Sequence, residues 1–278
     1  MRITAHHIAE TESALADFLT IKSGLSKMKI KDCMAKGGVW VQRRGKREER
    51  CRKATTKLTP GDRVGLYFDQ DILNCKPAVP NLIADHEEYS VWEKPAGVLS
   101  QGTRFGDHCS LLRLAQQSFT PPRLSFPVHR LDREASGLVL IAHTAKAARA
   151  LSLLWQNRQV EKEYEVTVKG ILVQRDLGTI ALPLDGKEAR TDYQVIACDL
   201  HEENSLLRVS LLTGRLHQIR RHCAMAGFPV IGDPKYGTNN KNTAGLALRA
   251  IRIAFDCPWG GGRREFRLSS PALAPSLP

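Results

Sequence analysis

A charged, turn-prone segment runs directly into an apolar run near the middle of the chain. Residues 128–137 read VHRLDREASG, and residues 138–142 read LVLIA. A short apolar run bounded by turn-forming residues predicts a buried strand. The segment before it therefore delivers one carboxylate, Asp132, to the end of a rigid support. This carboxylate is either a reactive group or a member of a structural, salt-bridged loop.

The charge of the chain favours a polyanionic partner. It has 41 Lys and Arg against 29 Asp and Glu, a formal net charge of +12. Nucleic acid is the first partner that this balance suggests, and an acidic membrane surface is the second. Because no apolar run is longer than a strand, we expect no membrane-spanning segment.

Cysteine usage and the first residues of the sequence both predict a cytoplasmic protein. The seven cysteines are at least 18 positions apart, which excludes CxxC zinc or redox motifs and argues against a disulfide framework. Free thiols are typical of a reducing compartment. Residues 1–7 lack the apolar core of a secretory signal.

Several familiar active sites are absent from the sequence. It contains no glycine-rich phosphate loop, GxSxG, HExxH or dinucleotide-binding fingerprint. The nine histidines lack the spacing of metal ligands, and His217 and His222 are five positions apart, which fits one helix face poorly. We therefore expect neither a metal nor a cofactor.

The first part of the chain predicts a small module of helices and strands. Residues 11–24 have the apolar spacing of a helix, and Ser26 can cap a second one. Residues 39–41 and 64–68 alternate as strands. Between these strands, the run over residues 43–53 is too charged to pack, so we expect a solvated basic loop.

Two stretches of this part resemble the small RNA-binding module found in ribosomal small-subunit protein four and in many RNA-modifying enzymes. They are residues 38–41, GVWV, and residues 57–64, KLTPGDRV. The resemblance implies that the module binds RNA. Candidate contacts come from the basic loop after the first strand: Arg43, Arg44, Lys46 and Arg47. Gln42 follows that strand here, where the family often has Asn.

The rest of the chain predicts a mixed sheet with flanking helices. Strands are predicted at residues 89–94, 161–168, 178–180, 193–197, 205–212 and 246–255. A helix is predicted over 144–155, and another opens within 213–222. Period two places Tyr164 on the inward face of its strand. Because helices and strands do not alternate regularly, we predict an α+β fold with a mainly antiparallel sheet and a central cleft.

These patterns divide the chain into four parts. The small module covers residues 1–70, and a linker with two prolines covers 71–83. The main domain covers 84–270. The tail over 271–278 is rich in Ser, Pro and Ala, which predicts disorder.

Four motifs of the main domain resemble those of the RluA-type pseudouridine synthases. Residues 129–138, HRLDREASGL, resemble that family's HRLDxxTSG, with Ala135 in place of Thr. Residues 214–237 contain GRLHQIR and GFPVIGDPKYG, which resemble GRxHQIR and GxPxxGDxxYG. The Lys-x-Tyr element matches residues 162–164, and the opening turn matches 94–97. The order and spacing of the motifs agree with the family.

The resemblance covers residues 85–268 and implies a reaction. Uridine within a structured RNA, ribosomal or transfer, would be isomerised to pseudouridine: the base leaves through N1 and returns through C5. No cofactor is needed. The family also implies a protein that acts as a monomer and extrudes its target base from the RNA, at a cost of about a few kcal/mol.

The resemblance also assigns roles to individual residues. Asp132 resembles the essential carboxylate, which would act either as a nucleophile or as a base at the ribose. Arg220 resembles the arginine that pairs with it and favours its ionised form. Tyr164 resembles the tyrosine on which the base stacks. Arg130 resembles the arginine that fills the gap left by a flipped base, and Ile219 resembles the apolar pocket wall.

The sequence leaves open the roles of further residues and two alternative functions. Lys162 and Arg215 would contact phosphates or carboxylates, whereas His129, His217 and Gln218 have predicted structural roles. The first alternative function is a catalytically silent RNA-binding protein on the same fold. The second is an aspartate-dependent hydrolase of N-glycosidic bonds, which would release free base.

Overall fold

The structure is a computed structural model that describes residues 1–172, 177–237 and 245–269. It contains two compact units. The first comprises Met1–Ala78 with Gln101–Ser118, and the second comprises Val79–Ser100 with Phe119–Pro278. The predicted disordered tail at 271–278 lies outside the described residues.

The first unit contains six strands and four helices. They are β1 Arg2–Ile8, β2 Ser13–Ala14, α1 Leu15–Ser23, α2 Lys27–Ala35, β3 Val39–Gln42, β4 Glu49–Arg50, β5 Lys57–Leu58, β6 Arg63–Asp69, α3 Gln70–Asn74 and α4 Leu111–Ser118. The main sheet has the antiparallel order β1-β6-β3-β4, and β2 pairs with β5.

The helix boundaries of this unit follow local chemistry. Gly24 has φ +70° and ends α1 in the left-handed conformation that glycine adopts without strain. The hydroxyl of Ser26 accepts a hydrogen bond from the Lys29 N–H at 3.4 Å and caps α2. Leu19 and Ile30 are fully buried in one core that the two helices share with the sheet.

The structure differs from the predicted boundaries of this region in two ways. The predicted linker contains α3 and the beginning of the next strand, Asn81–Asp85. In addition, Gln101–Ser118, which the sequence assigned to the main domain, packs with the first unit. The reason is electrostatic, because Asp107 forms ion pairs with both Arg50 and Arg52.

These ion pairs also correct the expectation that the whole run 43–53 is solvated. Glu49–Arg50 forms β4, which pairs with β3. Arg50 lies over the Trp40 ring at 4.3 Å. Charged residues can pack when a carboxylate and an aromatic ring cover them. The exposed residues of the run are those at its tip, 44–47, together with Glu49 and Lys53.

The described part of the second unit contains ten strands and two helices. They are β7 Asn81–Asp85, β8 Tyr89–Lys94, β9 Phe126–Pro127, β10 Ser136–Ala142, α5 Ala145–Gln156, β11 Val160–Lys169, β12 Leu177–Ile180, β13 Thr191–Asp199, β14 Asn204–Leu211, α6 Gln218–Met225, β15 Leu248–Asp256 and β16 Arg263–Arg267. Among the described residues, no helix is both long and apolar enough to cross a membrane.

A single ten-stranded sheet organises this unit. Its order is β12-β13-β14-β11-β15-β10-β8-β7, with β16 beside β15 and β9 beside β10. Pairing is antiparallel except between β10 and β15. The predicted α+β fold with a mainly antiparallel sheet is therefore confirmed.

The buried strand β10 carries the charged segment of the sequence to the sheet. Residues 137–142 are all buried. Gly137 has φ +111°, and a Cβ at this position would overlap the backbone of Ala250 on β15. Only glycine permits this close parallel pairing, which holds the end of the Asp132 loop against the middle of the sheet.

The helix predicted to open within 213–222 begins late, at Gln218. The residues before it form a loop in which the Gln218 Oε1 accepts hydrogen bonds from the Thr213 hydroxyl at 2.8 Å and the Arg215 N–H at 3.0 Å. His217 precedes the helix in a left-handed conformation, with φ +52°. The first turn of α6 is thus fixed by the glutamine side chain.

Candidate active site

A cleft in the second unit brings together six of the seven residues that the sequence singled out there. They are Asp132, Arg220, Tyr164, Arg130, Ile219 and Arg215. The cleft has a volume of about 180 Å³. Protein cavities of about 150 Å³ hold a benzene ring, so this cleft has room for one heterocyclic base.

Asp132 lies at the floor of the cleft on the loop before β10. Its side chain is half-buried, and its Oδ2 accepts a hydrogen bond from the Arg220 Nη1 at 3.0 Å. The loop is held at the preceding residue: the Ser100 hydroxyl donates to the Leu131 carbonyl at 2.7 Å and accepts from its N–H at 3.0 Å. The carboxylate therefore sits on a fixed backbone.

Arg220 is a buried guanidinium between two carboxylates. Its Nε and Nη2 donate to the two oxygens of Asp233, at 2.7 and 2.8 Å, while Nη1 reaches Asp132. Burial opposes the charge of Arg220, but the hydrogen bonds with Asp233 and Asp132 outweigh it and raise its pKa. The guanidinium is permanently charged beside Asp132.

Asp233 is ionised for a related reason. Its side chain is fully buried, which by itself would raise its pKa. The hydrogen bonds from Arg220 and from the N–H groups of Lys235 and Tyr236 together outweigh burial and lower the pKa of this carboxyl.

Tyr164 enters the cleft at an irregularity in the sheet. The pairing of β11 with β15 shifts register between Glu163 and Tyr164. Such a bulge bends the strand and changes the direction of a side chain. Burial and the charge of Asp132 raise the pKa of Tyr164 to about 12. The side chain that lines the cleft is therefore a neutral phenol.

The remaining cleft residues have distinct environments. Ile219 is buried in the first turn of α6 and forms part of the apolar wall. Arg130 is exposed at the mouth. The Arg215 Nε donates to the Glu188 carbonyl at 3.0 Å, which ties this arginine to the rim.

Lys162 is the seventh of these predicted residues, and it does not line this cleft. It lies in a separate depression beside Glu161 and Glu163. Burial lowers the pKa of its amine. Its sequence position, two residues before Tyr164, predicts the same strand face by period two. The two side chains nevertheless line different depressions, and the strand pairing shifts register between them.

Two of the three residues with predicted structural roles hold the loop and helix as expected. His129 Nε2 accepts a hydrogen bond from the Leu140 N–H at 3.0 Å, and its ring stacks on Trp155 with centroids 4.4 Å apart. Gln218 fixes the first turn of α6. The third, His217, has its Nε2 3.7 Å from the Asp132 Oδ1 and therefore also faces the catalytic candidate.

Lys94 is a fully buried residue that supports the Asp132 loop, and the sequence did not predict this role. Its Nζ donates to the carbonyls of Pro95, Val98 and Arg133, at 3.0, 2.8 and 3.2 Å. Burial lowers the pKa of Lys94 to about 8, against a partial increase from the charges of Glu134 and Asp132. The sequence shows the Lys-Pro-x-Gly turn, but it does not show that the Lys94 amine binds the distant Arg133 carbonyl.

The first unit contains a basic pocket of about 210 Å³. Of the four candidate RNA-binding residues, Arg43, Lys46 and Arg47 line it, and Arg44 is exposed outside its lining. Arg43 is also bound within the unit, since its guanidinium donates to Asp62 at 3.0 Å.

No cluster of three or more His, Cys, Asp or Glu side chains with the arrangement of a metal site occurs in residues 1–172, 177–237 and 245–269. The cleft instead combines one half-buried carboxylate, one buried guanidinium and one aromatic ring. This set can hold a flat ring beside a carboxylate.

Comparisons with known proteins identify the family of the chain. A family model described as RNA pseudouridylate synthase matches residues 88–225. A protein of Aquifex aeolicus, described as an uncharacterized RNA pseudouridine synthase, is 37% identical over 91% of this chain and 88% of its own length. The dual-specificity RNA pseudouridine synthase RluA of Yersinia pestis is 35% identical over 64% of this chain and 92% of its own length.

A solved structure shares the fold. Human RNA pseudouridylate synthase domain containing 1 superposes with a TM-score of 0.61 at 21% identity, over 72% of this chain and 88% of its own. This structure shares the fold, and the sequence relatives are RNA pseudouridine synthases. The chain belongs to the RluA-type family of these enzymes. Its reaction is the isomerisation of uridine in RNA to pseudouridine.

Proposed function

We propose that Asp132 is the reacting carboxylate of this isomerase, and that Tyr164 and Arg220 prepare it for an extruded uridine. The observation that carries the proposal is the Asp132–Arg220 hydrogen bond of 3.0 Å at the floor of the cleft. A carboxylate must be ionised to act either as a nucleophile or as a base. The Arg220 guanidinium holds one oxygen of Asp132 in a fixed position.

The chemistry is internally balanced. The N1–C1′ bond breaks and a C5–C1′ bond forms, while C5 loses one proton and N1 gains one. Asp132 acts at the ribose or at the base during this exchange. Neither route requires an oxidant, a reductant or an outside energy source.

The cleft is shaped for a base that has left the RNA stack. Tyr164 supplies a neutral aromatic face, and stacking of a base on such a ring is worth about 1–3 kcal/mol. Ile219 supplies an apolar edge. Arg130, exposed at the mouth, is placed to fill the gap in the RNA or to bind a phosphate. These contacts offset the cost of extrusion, about a few kcal/mol.

We propose a structured ribosomal or transfer RNA as the substrate and a monomer as the active form. The first unit would be the RNA-binding module, with Arg44, Lys46 and Arg47 at phosphates; exposed cations at one loop support this role. The six cysteines other than Cys109 are free thiols, and they support a reducing compartment, the cytoplasm.

The Asp132→Asn variant tests the proposal. Purified protein is incubated with pooled ribosomal and transfer RNA that lacks modifications, and pseudouridine is quantified by mass spectrometry. We expect no product from the variant. RNA affinity should stay within about threefold, because many distributed phosphate contacts carry it.

The matched control is Asp85→Asn, which removes a carboxylate from an exposed ion pair with Arg123 in the same unit. It should retain full turnover. Near-normal turnover in Asp132→Asn would contradict the proposal. Wild-type protein that binds RNA without forming pseudouridine would support a silent RNA-binding protein, and release of free uracil would support a hydrolase.

A further inference from the structure

A turn between α6 and β15 contacts Arg220 and His217, the two residues that lie next to Asp132. Asp233 Oδ1 accepts hydrogen bonds from the Lys235 N–H at 2.8 Å and the Tyr236 N–H at 3.0 Å. The backbone of the turn therefore holds the buried Asp233 carboxylate in place independently of any other side chain. We call residues 233–236 the support turn.

The first link from the support turn to Asp132 passes through Arg220. A guanidinium is planar, and its five N–H groups have fixed directions. Because Asp233 holds Nε and Nη2 at 2.7 and 2.8 Å, the plane of Arg220 is set, and the orientation of Nη1 is set with it. Nη1 is the group that holds the Asp132 Oδ2.

The second link passes through His217. The Tyr236 hydroxyl lies 2.9 Å from the His217 Nδ1, and the His217 Nε2 lies 3.7 Å from the Asp132 Oδ1. Burial lowers the pKa of His217, so the ring is neutral near pH 7. In the tautomer whose hydrogen lies on Nε2, toward Asp132, the Tyr236 hydroxyl donates to Nδ1.

The backbone of His217 supports a specific placement of this ring. The residue has φ +52° and ψ +34°, a left-handed conformation that non-glycine residues rarely adopt. Strained residues of this kind persist where their surroundings hold them, often at functional sites. The Tyr236 hydrogen bond is one such constraint.

We infer that the support turn is a positioning element for the reaction: Asp233 orients Arg220, which holds one oxygen of Asp132, and Tyr236 orients His217, which faces the other oxygen. Neither Asp233 nor Tyr236 lines the cleft, so both act through another residue. The inference rests on the proposed role of Asp132.

A double-mutant cycle tests the first link. Asp233→Asn keeps the size of the side chain and an oxygen for the turn, but it removes the charge and one acceptor facing Arg220. We expect kcat to fall on the order of 100-fold, the cost of a small misplacement, with RNA affinity unchanged. In an Arg220→Gln background, the same substitution should have no further effect on kcat, measured in single-turnover reactions.

Additive effects of Asp233→Asn and Arg220→Gln would overturn this link, since a purely structural aspartate acts independently of Arg220. Thermal unfolding of each variant identifies general loss of structure. An Asp233→Asn variant that is folded and keeps wild-type kcat would also overturn the inference.

Tyr236→Phe tests the second link without disturbing the buried charges. It keeps the ring 5.3 Å from the Arg220 Cζ and removes only the hydroxyl. We expect kcat to fall about 5-fold, the value of one hydrogen bond, at unchanged RNA affinity. Tyr193→Phe, a half-buried tyrosine outside the cleft, is the control. Equal kcat in Tyr236→Phe and the wild type would overturn the second link.

The outcomes also separate this inference from the role of Asp132. If Asp132→Asn is inactive while the support-turn variants match the wild type, the proposed function stands and the inference fails. If Asp132→Asn is active, the proposed function itself fails.

Discussion

At the scale of single residues, Tyr164 contributes an aromatic ring to the cleft, and its hydroxyl stays uncharged. Its pKa of about 12 keeps the phenol neutral throughout the working range of the enzyme. Its position in the cleft depends on the bulge between Glu163 and Tyr164. The contribution of the residue should therefore follow the aromatic face.

Substitution of Tyr164 separates the ring from its hydroxyl. Tyr164→Leu should lower kcat/KM on the order of 10- to 100-fold, because it removes a stacking surface worth about 1–3 kcal/mol. Tyr164→Phe should lose far less. Steady-state kinetics on a defined RNA substrate provide the comparison. A greater loss in Tyr164→Phe than in Tyr164→Leu would show that the hydroxyl takes part in the chemistry.

At the scale of elements, Lys94 connects the turn after β8 to the Asp132 loop. Its buried amine donates to carbonyls of both segments. Burial lowers its pKa from 10.5 to about 8. Between these values the unfolded chain binds more protons than the folded one, so the contribution of Lys94 to the free energy of unfolding rises with pH.

A comparison with Lys94→Met isolates this effect. From pH 8 to pH 10, the free energy of unfolding of the wild type should increase relative to that of the variant by about 2 kcal/mol. Urea denaturation of both proteins at the two pH values measures the difference. A difference that stays constant or reverses sign would contradict the assigned pKa.

The elements differ in how far the sequence could predict them. Strand β10 and the position of Asp132 follow from local pattern, because an apolar run after a charged turn has few alternatives. Strand β1 was not predicted, since the half-buried His7 interrupts the inward face that Ile3 and Ala5 begin. A polar residue at an inward position removes the period-two signal.

The partners of the site could not be predicted from local sequence patterns. Arg220 lies 88 positions from Asp132 and 13 from Asp233, and only the resemblance to a family joined the first pair. The pairing of Arg220 with Asp233 was not predicted. The turn residues around Asp233 predict only local structure and do not indicate which distant side chain binds its carboxylate. Side-chain pairing of this kind is determined by tertiary structure.

At the scale of the whole molecule, the net charge of +12 suits an RNA substrate. Many basic residues are nevertheless neutralised by neighbours; Arg252 alone pairs with Glu161, Glu163 and Glu265. The first unit retains exposed cations at one loop: Arg44, Lys46 and Arg47.

Replacing these three loop residues by Ala tests their share of RNA binding. For each phosphate that the loop no longer binds, the slope of log K against log salt should decrease in magnitude by about 0.7–0.9. The control removes three other exposed cations, Lys146, Arg149 and Lys169. Filter binding across a salt series measures the slopes. Equal slopes for the wild type and the loop variant would contradict an RNA-binding role of this loop.

The most direct test of the central claim compares pseudouridine maps of cellular RNA. Cells that lack the gene are supplied with the wild-type protein or with Asp132→Asn, and pseudouridines are mapped in ribosomal and transfer RNA. We predict that at least one site disappears without the gene, returns with the wild type and stays absent with Asp132→Asn. Return of that site with Asp132→Asn would contradict the claim that Asp132 is the reacting carboxylate.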